Sequence, residues 1–148
     1  MHKFNRVNAP FHWQKVTGNF KAVVKVSGGL KETYSKAGLM VKLDDENFVF
    51  TGMEHFNNRV NHSTSHTVGH TDWSLAALPP GSEDTGVWFC YNRMGGTYEC
   101  YYSFDGVKWI LTRMGKFTER PVLYVGICCA SPSAKGFRVT FDYYACKS

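Results

Sequence analysis

The sequence predicts an all-β protein, an antiparallel two-sheet sandwich, on three observations. Short runs rich in β-branched and aromatic residues recur along the chain, each closed by Gly, Pro, Asn, Asp or Ser. No long stretch keeps the apolar period of an amphipathic helix, and there is neither an internal repeat nor a low-complexity tract. The 148 residues are 43% hydrophobic and 16% aromatic, enough to fill one core, so a single domain over 1–148 is expected.

Taken in order, the first strand is Phe20 to Val26, with Phe20, Ala22, Val24 and Val26 on one face and Ser27-Gly28-Gly29 closing it. Leu30 to Ser35 has room for one helical turn. Ala37 to Leu43 sets Leu39, Val41 and Leu43 against Met40 and Lys42, and Asp44-Asp45-Glu46-Asn47 makes the turn. Phe48 to Phe56 follows, then the turn Asn57-Asn58, Val60 to Thr67, Trp73 to Leu78 and the breaker Pro79-Pro80-Gly81-Ser82. Val87 to Arg93 and Thr97 to Phe104 form a hairpin around Met94-Gly95. Trp109 to Arg113, Leu123 to Cys129 and Phe137 to Tyr144 complete about ten strands at the spacing of a sandwich or barrel.

The hairpin shows how pattern fixes faces. With Arg93 opposite Gly96, Phe89 opposes Cys100 and Tyr91 opposes Tyr98, while Trp88, Cys90, Glu99 and Tyr101 take the other side. A slip of one residue puts Glu99 among the apolar side chains. The favoured arrangement also denies Cys90 and Cys100 a cross-strand disulfide.

The net charge is +5, but the basic residues (Lys3, Lys15, Lys21, Lys25, Lys31, Lys36, Lys42 and onward) are scattered, with no polybasic arm. Nucleic acid is therefore not expected as a partner. Met1 to Arg6 lacks the apolar run of a signal peptide and no later stretch is long enough to span a bilayer, so no membrane partner is expected. Five cysteines, Cys90, Cys100, Cys128, Cys129 and Cys146, form no metal-binding spacing. An odd count without a leader points to free thiols in a reducing, cytoplasmic setting.

Several motifs resemble one family. Phe11-His12-Trp13-Gln14-Lys15-Val16-Thr17-Gly18-Asn19-Phe20 resembles its aromatic-Gln-x-Val-Thr-Gly-Asp-Phe run, and Ala37-Gly38-Leu39-Met40-Val41-Lys42 resembles its Ala-Gly-Leu-Met-Val/Ile-Arg strand. Asp45-Glu46-Asn47, Thr51-Gly52-Met53-Glu54, Asp72-Trp73-Ser74, Tyr102-Ser103-Phe104-Asp105-Gly106 with Trp109, and Gly126-Ile127-Cys128-Cys129-Ala130-Ser131-Pro132 continue the match in order. The chain is thus similar, over residues 11 to 144, to the domain of unknown function labelled "regulation of enolase protein" in the concanavalin A-like lectin/glucanase superfamily. That resemblance implies a jelly roll whose curved sheet face holds a ligand, and it assigns no activity. Members usually carry further strands before the Phe11 region, so the domain is either short there or lacks its opening strands; a missing strand would uncover a sheet edge, and a monomer or an edge-paired dimer is expected. The family often has Arg where Cys90 stands, so no anion-binding role of that arginine carries over to this chain.

The residues that do not read as core are Lys42, Glu54, His62, Thr64, Trp73, Trp88, Glu99 and Tyr101. A sugar site needs aromatic planes and hydroxyl-binding polar groups. Trp73, Trp88 and Tyr101 supply planes; Lys42, Glu54, His62 and Glu99 supply polar atoms. The plainer alternative makes the tryptophans packing residues and pairs Glu54 with Lys42. Glu54 and Glu99 raise glycoside hydrolysis, but the closely spaced acidic strand motif of the superfamily's glucanases is absent, so no catalytic residue is assigned. His62, His66 and His70 recur every four residues. On an extended strand His62 and His66 lie about 13 Å apart, so no metal and no cofactor is expected. The leading expectation is a non-catalytic domain binding a carbohydrate or another small polar ligand. The alternative is a protein-interaction module acting on a glycolytic enzyme such as enolase, and a glycoside-active enzyme comes third.

Overall fold

The computed structural model describes residues 11–133 and 136–148; Met1 to Arg6 lies outside them, as does any segment before Phe11. Among the described residues there are eleven strands: β1 (Phe11–Thr17), β2 (Phe20–Gly28), β3 (Lys36–Lys42), β4 (Asn47–Phe56), β5 (Arg59–Val68), β6 (His70–Ala77), β7 (Val87–Met94), β8 (Thr97–Ser103), β9 (Ile110–Lys116), β10 (Val122–Ala130) and β11 (Val139–Lys147). A single helical turn, α1 (Ser82–Thr85), follows the Pro79-Pro80 breaker. The strands form two antiparallel sheets, a six-stranded one ordered β1-β10-β3-β4-β5-β6 and a five-stranded one ordered β11-β2-β7-β8-β9. This is the expected jelly-roll sandwich.

Alternation decides what each sheet turns inward. The five-stranded sheet contributes Phe20, Ala22, Val24, Val26, Val87, Phe89, Tyr91, Tyr98 and Cys100, and the six-stranded sheet answers with Leu39, Val41, Val49, Met53, Leu123 and Val125. Phe20, Tyr91 and Tyr98 stack in sequence at 5.7 and 5.1 Å between ring centroids, so aromatic faces run across three strands.

Three expectations need correction. Leu30 to Ser35 is not helical: the Ser35 amide donates to the Glu32 carbonyl in a turn, and Tyr34 takes a left-handed φ of 71°. The β7–β8 hairpin pairs Met94 with Thr97 and Tyr91 with Cys100, so its turn is Gly95-Gly96 and not Met94-Gly95. Gly95 has φ 61°, which glycine adopts without penalty and methionine does not, so the turn settles one residue later. Each strand's face assignment survives, because the opposing partner moves by two residues. Finally, Phe11–Thr17 is a strand that apolar periodicity alone did not mark, since only Val16 on it is buried.

At the centre of the six-stranded sheet, β3 and β4 lie unusually close. A Cβ on Gly38 falls 2.4 Å from the Thr51 carbonyl oxygen and 2.6 Å from the Gly52 Cα, both backbone atoms. Gly38→Ala therefore forces the strands apart and is expected to cost about 2 kcal/mol or more, read as a lowered urea midpoint. A midpoint equal to wild type refutes this reading of the close approach.

Candidate functional site

The seven predicted ligand residues do not share a face. Lys42, Glu54 and Trp73 lie on the outer face of the six-stranded sheet. His62 points between the sheets. Trp88, Glu99 and Tyr101 lie on the outer face of the other sheet, beyond the full thickness of the core. The reason is register. The turn at Asn57-Asn58, with φ of 55° and 59°, sets Met53 opposite His62 and Glu54 opposite Asn61. Met53 is fully buried in the core, so His62 goes inward with it, and so does Thr64 opposite Thr51.

The outer face of the six-stranded sheet has the more developed chemistry. Glu54 is only 4% exposed although it points away from the main core. Its Oε2 accepts from the Ser63 hydroxyl at 2.5 Å and from the Trp73 indole N–H at 2.9 Å. Trp73 also donates to Ser63 Oγ at 3.1 Å, and its ring stays 40% exposed. Around it, Phe56 meets Trp73 edge-on at 5.0 Å and Tyr34 lies 5.6 Å from Phe56 and 6.3 Å from Trp73. The floor beside Glu54 is low because Gly38 and Gly52 pair there and Ser63 continues the row.

Lysines flank this floor without reaching the carboxylate. Lys42 pairs with Asp45 at 2.7 Å, and its ammonium lies 5.8 Å from the Phe11 ring centroid, so the anticipated Lys42–Glu54 pair is not formed. Lys36 stands directly across from Glu54, yet its Nζ sits over the Phe50 ring at 5.1 Å. Ser63, Tyr34 and Phe56 were not singled out from the sequence. Ser63 was legible from the Asn57-Asn58 turn, which places it diagonal to Glu54. Tyr34, in an irregular segment, carried no pattern.

The other residues are accounted for locally. His62 is 3% exposed, its Nε2 lies 2.8 Å from Thr51 Oγ1, and its ring packs on Phe89 and Tyr102. Burial lowers its pKa from 6.5 to about 3, so the imidazole is neutral at pH 7. It lines a small cavity with Thr64, Ser74, Leu75, Ala76 and Thr112, where β6 and β9 leave one side of the sandwich open. Trp88 packs against Tyr143, with Lys25 over its ring. Tyr101 donates to Glu99, and the hydrogen bond to that carboxylate leads the causes that push the phenol up to about 12. Glu54 and Glu99, on opposite outer faces, cannot flank one glycosidic bond.

At the open side, Arg113 of β9 donates to Asp72 at 3.0 Å, to Ser74 at 3.2 Å and to the Tyr98 hydroxyl at 3.1 Å, which in turn lies 2.7 Å from His66 Nδ1. This clasp joins the two sheets, and sequence reading missed it because its members come from four strands. Among the described residues no group of three or more His, Cys, Asp or Glu could hold a metal ion, and no helix is long and apolar enough to cross a membrane.

Comparison with known proteins gives the family and the fold. "Regulation of enolase protein 1" of Saccharomyces cerevisiae is 28% identical over 142 residues, covering 96% of this chain and 71% of the yeast protein. A crystal structure of a functionally unknown protein from the same yeast superposes with a TM-score of 0.89 at 27% identity, over 98% of this chain and 77% of that one. A xylan β-1,4-xylosidase from Bacillus halodurans has a TM-score of 0.76 at 19% identity, covering 88% of this chain but 28% of the enzyme, a likeness of fold alone. The profile of the family described as "Protein of unknown function (DUF1349)" matches residues 1–148, and the chain belongs to that family.

Proposed function

We propose that this protein is a non-catalytic binding domain that holds a small polar ligand, a carbohydrate as first candidate, on the outer face of its six-stranded sheet. One observation carries the reading. On an outward-facing surface, Glu54 is sequestered to 4% exposure and anchored by an indole whose own ring remains open to solvent. An exposed aromatic plane beside a fixed acceptor is what recognition of a hydroxylated ring requires.

A glycan array followed by fluorescence titration tests it. The expected result is a saturable signal lost in Trp73→Ala and kept in Trp88→Ala, whose indole lies on the other sheet. A signal lost in Trp88→Ala and kept in Trp73→Ala moves the site to the five-stranded sheet, and a blank array with folded protein removes the carbohydrate reading.

The name of the yeast relative favours a second reading, a cytosolic regulatory module that binds a glycolytic enzyme such as enolase. The edge strands β6 and β9, which carry the exposed side chains of Trp73, Ile110, Leu111 and Met114, are the surfaces such a partner would meet. Co-sedimentation with purified enolase, abolished by a proline at Met114, separates this reading from the first.

A further inference from the structure

We infer that the Glu54–Trp73 site selects a cationic ligand, a protonated or quaternary ammonium group, over a neutral one; this rests on the proposal that the face binds a ligand. Among the described residues, the Glu54 carboxylate makes no ion pair: its polar contacts are Ser63 and Trp73, both on Oε2. A buried carboxylate without a counter-charge is costly, and structures normally supply one. Here the cation nearest in register, Lys36, spends its ammonium on the Phe50 ring instead, and Lys42 is taken by Asp45.

What stands next to the carboxylate is aromatic. Tyr34, Phe56 and Trp73 form a continuous cluster, with Tyr34 53% and Trp73 40% exposed. Tyr34 reaches it only by adopting a left-handed φ of 71°, a conformation that disfavours a bulky side chain and is held by backbone hydrogen bonds to His55 on both sides (Tyr34 N–H to the His55 carbonyl, 2.7 Å; His55 N–H to the Ser35 carbonyl, 2.9 Å). The left-handed backbone sets a half-exposed aromatic ring against Phe56 and Trp73, the residue whose indole holds the Glu54 carboxylate. Aromatic faces attract ammonium groups through their quadrupole, and the indole gains negative potential by donating its N–H to Glu54. Electrostatic attraction from the carboxylate and from the rings then converges on one spot. A neutral sugar satisfies the rings but leaves the charge unanswered; an ammonium group, alone or on an amino sugar, satisfies both.

The test follows the Trp73 indole N–H resonance in ¹⁵N-labelled full-length protein, assigned by its loss in Trp73→Phe. Choline, its neutral isostere 3,3-dimethylbutan-1-ol, and the neutral disaccharides xylobiose and cellobiose are titrated in parallel. Choline is expected to shift the resonance saturably, with the neutral alcohol roughly tenfold weaker or silent. Glu54→Gln keeps an acceptor for Ser63 and Trp73 and is expected to weaken choline about tenfold. Tyr34→Gly suits the left-handed backbone, preserves the fold, and is expected to weaken choline several-fold. Equal binding of choline and the alcohol, or full choline affinity in Glu54→Gln, overturns the inference. Disaccharides that shift the resonance while choline does not overturn it and leave the binding face intact. If nothing shifts the resonance, both fall.

Discussion

Arg93→Ala is expected to destabilise the protein by on the order of 3–5 kcal/mol, a large share of the stability of a domain this size. Arg93 is 4% exposed and, among the described residues, has no carboxylate partner; its guanidinium is caged by main-chain carbonyls. Nε donates to Gly95 at 2.9 Å, one terminal nitrogen to Gly18 and Pro121 at 3.2 Å each, and the other to Thr118 at 3.1 Å and to Arg120. Those carbonyls belong to the β1–β2 turn, the β7–β8 turn and the loop between β9 and β10, so one side chain ties three connections at one end of the sandwich. Alanine removes the donors and leaves the carbonyls facing a void, with the full desolvation penalty. Lysine brings a point charge where a planar fork is needed, and is expected to restore less than half of the loss. Urea unfolding of the three proteins decides it; an Arg93→Lys variant as stable as wild type rejects the fork argument.

The second large effect is acid lability. The unfolded chain protonates His62 near pH 6.5, while burial holds the folded value at about 3. Between these values the unfolded state binds the extra proton, so stability is complete above pH 6.5 and falls as pH drops towards 3. The linkage is about 2 kcal/mol by pH 5 and about 5 kcal/mol at completion. His66 is lowered too, by burial first and then by Arg113, and adds loss in the same direction. Asp44, Asp72 and Asp105, all lowered chiefly by hydrogen bonds, add loss in the same direction only from the usual carboxylate range downward. The urea midpoint is expected to fall steadily from pH 6.5 to 4.5, and His62→Gln, which can still face Thr51, to flatten that limb. A flat wild-type profile excludes the buried neutral imidazole.

How much of this was readable in advance differs between fold and site. Strand positions followed from alternation and turn residues, since a sandwich turns one face of each strand to the core: Phe20, Ala22, Val24 and Val26 all lie inward as the pattern implied. Edge strands were less legible. β6 and β9 are largely solvent-exposed, so their apolar pattern is weak and their ends moved, to His70 and to Lys116. The site failed for a different reason. Polar residues were grouped because they looked out of place in a core, yet His62 is buried inside and satisfied by Thr51, while Glu54 is buried outside. The two-residue turn at Asn57-Asn58 held the missing information, because it fixes which β4 residue opposes which β5 residue. The Tyr34 loop and the Arg113 clasp depend on contacts between segments distant in sequence, which no local pattern encodes.

The side of the sandwich where β6 and β9 form the sheet edges has a consequence for how water reaches the interior. The sheets meet there through the side chains of Arg113, Asp72, Ser74, Tyr98 and His66, and side-chain contacts loosen far more readily than a ladder of amide bonds. The molecule therefore has a seam. Amide protection is expected to be deepest under β2, β4 and β7 and shallowest along this margin, which hydrogen exchange would read out. The cavity that Ser74 and Thr112 line along this margin also has His62 in its wall. An imidazole that stays neutral by burial thus sits beside the one margin closed by side chains alone, and its protonation is expected to follow the local loosening of those few contacts before the sheets come apart.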